Sequence, residues 1–153
     1  MTVSAPPRKV TTFLMFEGVA EEAMMFYTSL FEDAEIVAIR HYGADGGGVE
    51  GTVQHATSSL AGQHFMCIDS TEAHEFSFTP SISLFVHCKS EKEIDYLYAV
   101  LAERGRALMP LGSYRFSAKF GWVSDRLGVS WQLNLPQVPV ANELRSGGID
   151  GQG

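Results

Sequence analysis

Residues 120–135 read FGWVSDRLGVSWQLNL, and they decide the fold because a simpler form of the pattern stands earlier in the chain. A turn at Asp125-Arg126-Leu127-Gly128 leads into Val129–Leu135, as a turn centred on Leu60-Ala61-Gly62 leads into Gln63-His64-Phe65-Met66-Cys67-Ile68. The upstream halves echo each other as well. Thr12-Phe13-Leu14-Met15-Phe16, followed by a helical run from Glu21 to Phe31, matches Ser81-Ile82-Ser83-Leu84-Phe85-Val86, followed by a helical run from Glu91 to Gly105. The chain therefore reads as two copies of a strand–helix–strand–strand–strand unit of about sixty residues, an α+β fold. A lone unit of that size buries too little surface to be comfortably stable, so the two are expected to share a core, with a concave space as the natural place for a ligand.

Within Val129–Leu135 the residues alternate. Val129, Trp131, Leu133 and Leu135 take one face, for a helix to cover; Ser130, Gln132 and Asn134 take the other. The repeat puts Phe65 with Trp131 on the helix side, and His64 and Met66 with Ser130 and Gln132 on the polar side. In the opening strands Thr12 and Leu14 share one face, and Ser81 and Ser83 the corresponding one. The helices follow from period: Ala20, Met24, Tyr27 and Phe31 form one apolar stripe, and Ile94, Leu97, Tyr98 and Leu101 another. Ser90 followed by Glu93 is a capping box, and Gly105 is placed to end the second helix in a positive-φ conformation.

Composition bounds the function. At 153 residues, 45% of them hydrophobic, the chain is one ordinary globular domain. A formal net charge of -7 argues against nucleic acid, which needs a concentrated basic face. No apolar run approaches the ~20 residues that cross a bilayer, and Met1–Lys9 lacks the features of a signal peptide. Cys67 and Cys88 lie in or beside apolar strands and read as buried free thiols of a cytoplasmic protein. Residues 1–8 read as a disordered tail and 137–153 as a C-terminal tail, disordered from Asn142, around a domain at 9–136, with module one at 9–68, a linker at 69–80 carrying Pro80 at the start of a strand, and module two at 81–136.

The order of elements, Phe13-Leu14-Met15-Phe16-Glu17-Gly18, Ala20-Glu21-Glu22-Ala23 with Phe26-Tyr27, and Gly121-Trp122-Val123 through Gly128-Val129-Ser130-Trp131-Gln132, resembles the PhnB-like group. That group is also labelled demethylubiquinone methyltransferase-like, and belongs to the glyoxalase/bleomycin resistance/dioxygenase (vicinal oxygen chelate) superfamily. The resemblance spans Lys9–Pro136. It implies two βαβββ modules curling into a half-barrel that is completed in a homodimer, domain-swapped pairing being one form of it. The methyltransferase label is not read as an activity, since no glycine-rich strand-to-helix loop with an acidic ribose partner is present.

Metal-dependent members of the superfamily place ligands on the first strand of each module and on the last strand. The resemblance carries these positions to Thr12, to Ser81 with Ser83 as the alternative register, and to Gln132, where the metal enzymes commonly carry Glu. Neutral oxygens of Thr, Ser and Gln do not offset the desolvation of a divalent ion, so no metal and no other cofactor is expected. Of the histidines, His64 is the one the repeat places beside Gln132 on the polar face. No Ser/His/Asp or Cys/His arrangement is marked by a nucleophile turn. The stretch Pro110–Lys119, PLGSYRFSAK, reads as a loop overhanging the cavity, with Arg115 placed to grip an anionic or carbonyl-bearing ligand and Phe116 to stack on it. The remaining aromatic residues read as core. The expectation is a protein that binds a small organic ligand at Thr12, His64, Met66, Ser81, Ser83, Arg115, Ser130 and Gln132. The alternative is an enzyme of the vicinal oxygen chelate type using the same cavity.

Overall fold

A computed structural model describes residues 8–137; the expected tails lie outside these residues except for Arg8 and Gln137. The chain divides between Glu75 and Phe76 into two compact units, inside the segment expected to link them.

The first unit runs β1 (Thr12–Phe16), α1 (Ala20–Thr28), β2 (Ala34–His41), β3 (Val53–Leu60) and β4 (Gln63–Asp69). Its sheet has the order β1-β4-β3-β2, with β1 parallel to β4 and the other pairs antiparallel. The second unit repeats the plan with β5 (Leu84–His87), α2 (Glu91–Ala102), β6 (Arg106–Tyr114), β7 (Ser117–Ser124) and β8 (Ser130–Leu135), in the order β5-β8-β7-β6. Each unit is thus a βαβββ module, and the two-copy α+β reading holds.

The alternation that decides the fold is present in full. Val129, Trp131 and Leu133 are buried at 4%, 1% and 0% exposure, and Ile94, Leu97 and Leu101 of α2 are buried as well. In the first unit the counterparts are Phe65 and Cys67 of β4 with Ala20, Ala23, Met24 and Tyr27 of α1. The turn before β8 is built by Asp125. Its Oδ1 accepts hydrogen bonds from the Leu127 and Val129 amides at 2.8 and 3.1 Å, its Oδ2 accepts one from the Trp131 indole at 2.9 Å, and Gly128 takes φ +94.

Helix ends differ from expectation for identifiable reasons. α1 stops at Thr28, three residues before Phe31; the Thr28 hydroxyl donates back to the Met24 carbonyl at 2.7 Å, and Leu30 takes the buried place beyond the helix. The residue before α1, Val19, gives it no side-chain cap. The cap comes from the end of β4, where Asp69 Oδ1 accepts from the Gly18 and Ala20 amides at 2.7 and 2.9 Å and Oδ2 accepts from the Val53 amide at 2.9 Å. Asp69, expected in the linker, is therefore part of the module, only 2% exposed.

In α2 the Ser90 hydroxyl accepts from the Glu93 amide as expected, while the Glu93 carboxylate reaches one residue further back, to the Lys89 amide at 2.8 Å. The positive φ after this helix falls on Arg104 at 58°, not on Gly105. Gly105 is needed for space: a Cβ there would collide with the Ser124 carbonyl. Among the described residues no helix is long and apolar enough to cross a membrane.

Candidate functional site

The second sheet carries its chemistry on the face away from α2. Pairing of Leu84 with Trp131 and Phe85 with Gln132 sets the register of β5 on β8, and pairing of Trp122 with Gln132 and Phe120 with Asn134 sets β7. Directly paired residues share a face. Phe85, His87, Phe120, Trp122, Ser130, Gln132 and Asn134 therefore lie together on it. A cavity of about 460 Å³ opens there, lined by Phe85, Met109, Phe116, Phe120, Trp122, Gln132 and Asn134.

A chain of hydrogen bonds crosses the floor of this face. The Trp122 indole donates to Ser130 Oγ at 2.8 Å, Ser130 Oγ and Ser83 Oγ share a bond of 2.6 Å, and Gln132 Nε2 donates to Ser83 Oγ at 3.2 Å. Ser130 is 2% exposed, so these bonds satisfy a polar group that burial would otherwise penalise. The walls are aromatic. Phe120 meets Phe116 edge-on, with centroids 5.0 Å apart, and lies 6.5 Å from Phe85. Tyr114 stacks behind Phe116 at 5.6 Å and is held by its hydroxyl to the Pro110 carbonyl at 2.6 Å.

Three of the expected ligand-binding residues, Ser83, Ser130 and Gln132, are brought together in this way. Thr12, His64 and Met66 belong to the first unit. The match of Thr12 to Ser81 is out of step by three residues. Thr12 pairs with Phe65 and corresponds to Leu84, which pairs with Trp131. An odd offset exchanges the two faces of a strand, so Thr12 shares the face of Phe65, toward the helix, and Phe13 takes the open one. Ser81 precedes the strand, hydrogen-bonded to Thr79 at 2.7 Å in a turn that also contains Pro80. His64 and Met66 lie on the open face of the first unit's sheet, paired with Ser59 and Thr57.

The stretch 110–119 is a β-hairpin rather than a loop, turning at Arg115-Phe116. Pro110 is tolerated because β6 is the outer strand of its sheet. Arg115 is exposed at the turn, next to the cavity-lining Phe116. Lys119 points the other way and bridges Asp95 and Glu91 of α2 at 2.7 and 3.2 Å. The hydrogen bond to Asp95 holds its ammonium above the ordinary lysine range, with Glu91 adding to the effect and partial desolvation opposing it.

Of the aromatic walls, sequence reasoning found Phe116 and missed Phe85, Phe120 and Trp122. Phe85 and Phe116 are 48% and 62% exposed, so they are not core, and Phe120 and Trp122 belong to the cavity although their spacing of two residues reads equally well as a buried strand. Asn134 shared the polar face in the alternation and lines the cavity with Gln132.

The metal positions do not suit a metal. Ser83, Ser130 and Gln132 are neutral donors already engaged with one another, and Phe85 stands beside Gln132 on the first strand of this unit. Among the described residues no three His, Cys, Asp or Glu side chains cluster closely enough to hold an ion. Both cysteines are free and buried. Burial pushes each thiol up to about 12, helped by the Asp69 charge for Cys67 and by the Glu93 charge for Cys88, where a hydrogen bond with the Asn134 backbone opposes the rise.

Comparison with known proteins adds the relatives. The sequence model of 3-demethylubiquinone-9 3-methyltransferase matches residues 8–134. A putative 3-demethylubiquinone-9 3-methyltransferase, PhnB protein, from Bacillus cereus is 62% identical, covering 84% of this chain and 99% of its own, with a TM-score of 0.82. A protein from Pseudomonas aeruginosa is 26% identical over 86% of this chain and all of its own, with a TM-score of 0.75. A glyoxylase/bleomycin resistance protein/dioxygenase domain from Frankia shares the fold at 15% identity and a TM-score of 0.59, covering 90% of this chain and 96% of its own. The comparison with curated proteins gives no match.

Proposed function

Because the chain belongs to the PhnB-like, 3-demethylubiquinone-9 3-methyltransferase-like family, with the fold of the glyoxalase/bleomycin resistance/dioxygenase superfamily, we propose that it binds a small organic molecule on the open face of its second sheet, without turnover and without a resident metal. The observation that carries this reading is the pairing of an aromatic-walled cavity with a hydrogen-bonded floor from Trp122 through Ser130 and Ser83 to Gln132. Small-molecule sites are commonly apolar concavities of ~300–1,000 Å³ with a few fixed polar groups. None of the seven lining side chains can serve as a general acid or base near neutral pH. That favours binding over the alternative, an enzyme of the vicinal oxygen chelate type.

A crystallographic fragment soak tests the reading. Fragments should seat between Phe85, Phe116 and Trp122 over Gln132; fragments confined to outer surfaces would refute it. Elemental analysis of untagged, dialysed protein checks the metal. One zinc, nickel or manganese per chain would shift the reading to the metal-assisted enzyme. The ligand-bearing form is proposed to be a homodimer. Val10 and Ile82 are 82% and 71% exposed beside the outer strands β1 and β5, and an unprotected strand edge invites pairing with another chain.

A further inference from the structure

We propose that the cavity takes a flat, uncharged aromatic compound carrying an amide or a comparable edge that both donates and accepts hydrogen bonds. The inference rests on the binding reading above and names the chemical class of its ligand.

The walls select for flatness. Phe85 and Phe116 are 48% and 62% exposed, and both line the cavity. Phe116 and Phe120 stand nearly perpendicular, at 77°, while Tyr114 backs Phe116 almost in parallel, at 20°. Phe116 is thus braced by Tyr114 while 62% exposed, which suits an inserted ring by stacking and by edge-to-face contact with Phe120.

The floor can be counted proton by proton. Ser130 Oγ accepts from the Trp122 indole, and Ser83 Oγ accepts from Gln132 Nε2. One hydroxyl hydrogen closes the Ser83–Ser130 bond, in either direction. Whichever serine donates, the other keeps its own hydrogen to give. Gln132 has spent one amide hydrogen and keeps its Oε1 as an acceptor. The Asn134 side-chain amide has no hydrogen-bond partner among the described residues, while its backbone carbonyl accepts from the Cys88 amide. Two residues along a strand span ~6.6 Å, so Gln132 and Asn134 present a short row of donors and acceptors along one wall. That row is neutral throughout. A ligand charge pressed against these seven residues would lose hydration with no opposite charge among them, and Arg115 beside Phe116 is exposed to water.

The protein contains two tryptophans, and they provide the test. The Trp122 indole lines the cavity, whereas Trp131 is 1% exposed and bonded to Asp125 on the other face. An amide correlation spectrum of nitrogen-15-labelled protein should therefore show two indole N–H resonances, assigned by Trp122→Phe. The probes are benzamide, benzoate and cyclohexanecarboxamide, which vary charge and flatness separately. Benzamide should shift the Trp122 resonance at a Kd at least ~10-fold below the other two and leave Trp131 in place. Gln132→Leu and Asn134→Leu should each weaken benzamide several-fold, with the unmoved Trp131 resonance showing that the core is intact. Benzoate or cyclohexanecarboxamide binding as well as benzamide would overturn the proposed class and leave the cavity standing as a site. No shift from any of the three overturns the class too, and the fragment soak then decides the cavity separately.

Discussion

At the scale of single residues, two acids do most of the local construction. Asp69 satisfies three backbone amides from two separate segments, and Asp125 satisfies two in its own turn while fixing Trp131. Asp69→Asn keeps one accepting oxygen but sets its amide hydrogens against the Val53 amide. Leaving that buried donor unpaired should cost about 1–3 kcal/mol, read as a lower midpoint in chemical denaturation with an unchanged slope. Cys67 and Cys88 give a pH dependence with a definite sign. Their folded-state values lie at about 12 against an ordinary 9.0, so the unfolded chain loses its thiol protons first. Their contribution is complete below pH 9 and is lost as pH climbs from 9 toward 12. Stability should fall over that range more gently in a Cys67→Ala/Cys88→Ala variant, as followed by urea titration at several pH values.

At the scale of elements, what was legible in the sequence was local. The alternation of Val129–Leu135, the stripes of α1 and α2 and the Ser90 cap all lie within one segment, where period and capping chemistry suffice. The face of β1 was not legible. It depends on a parallel pairing with β4, whose register no residue of β1 announces, and matching Thr12 to Ser81 instead of Leu84 placed it on the wrong side. The cap of α1 by Asp69, which reaches across 49 residues to Ala20, was hidden for the same reason. For the site, Ser83, Ser130 and Gln132 were readable from alternation and Phe116 from its place beside Arg115, while Phe85 was not, since an aromatic residue on a short strand looks like core until its neighbours are known. Gly105 is a case where the element explains the residue. It lies against the Ser124 and Leu101 carbonyls, and both are backbone, which cannot swing aside. Gly105→Ala should destabilise the protein by about 1–3 kcal/mol, seen as a drop in Tm, with α2 content unchanged by circular dichroism.

At the scale of the whole molecule, the two modules repeat one topology but not one surface. The second presents aromatic rings and amides; the first presents Phe13, His64, Met66, Thr57 and Ser59 on the corresponding face. Light scattering should report about twice the 16.8 kDa chain mass for the proposed homodimer, and a monomer at micromolar concentration would remove it. The buried thiols have one more consequence, a kinetic one. Cys67 lies in the first unit and Cys88 in the second, each under 5% exposed. A thiol of that kind meets an alkylating reagent only while its surroundings are open. Under excess reagent the two modification rates, separated by peptide mass spectrometry, therefore time the openings of the two modules independently, so the unaltered protein carries a separate clock in each half of its chain.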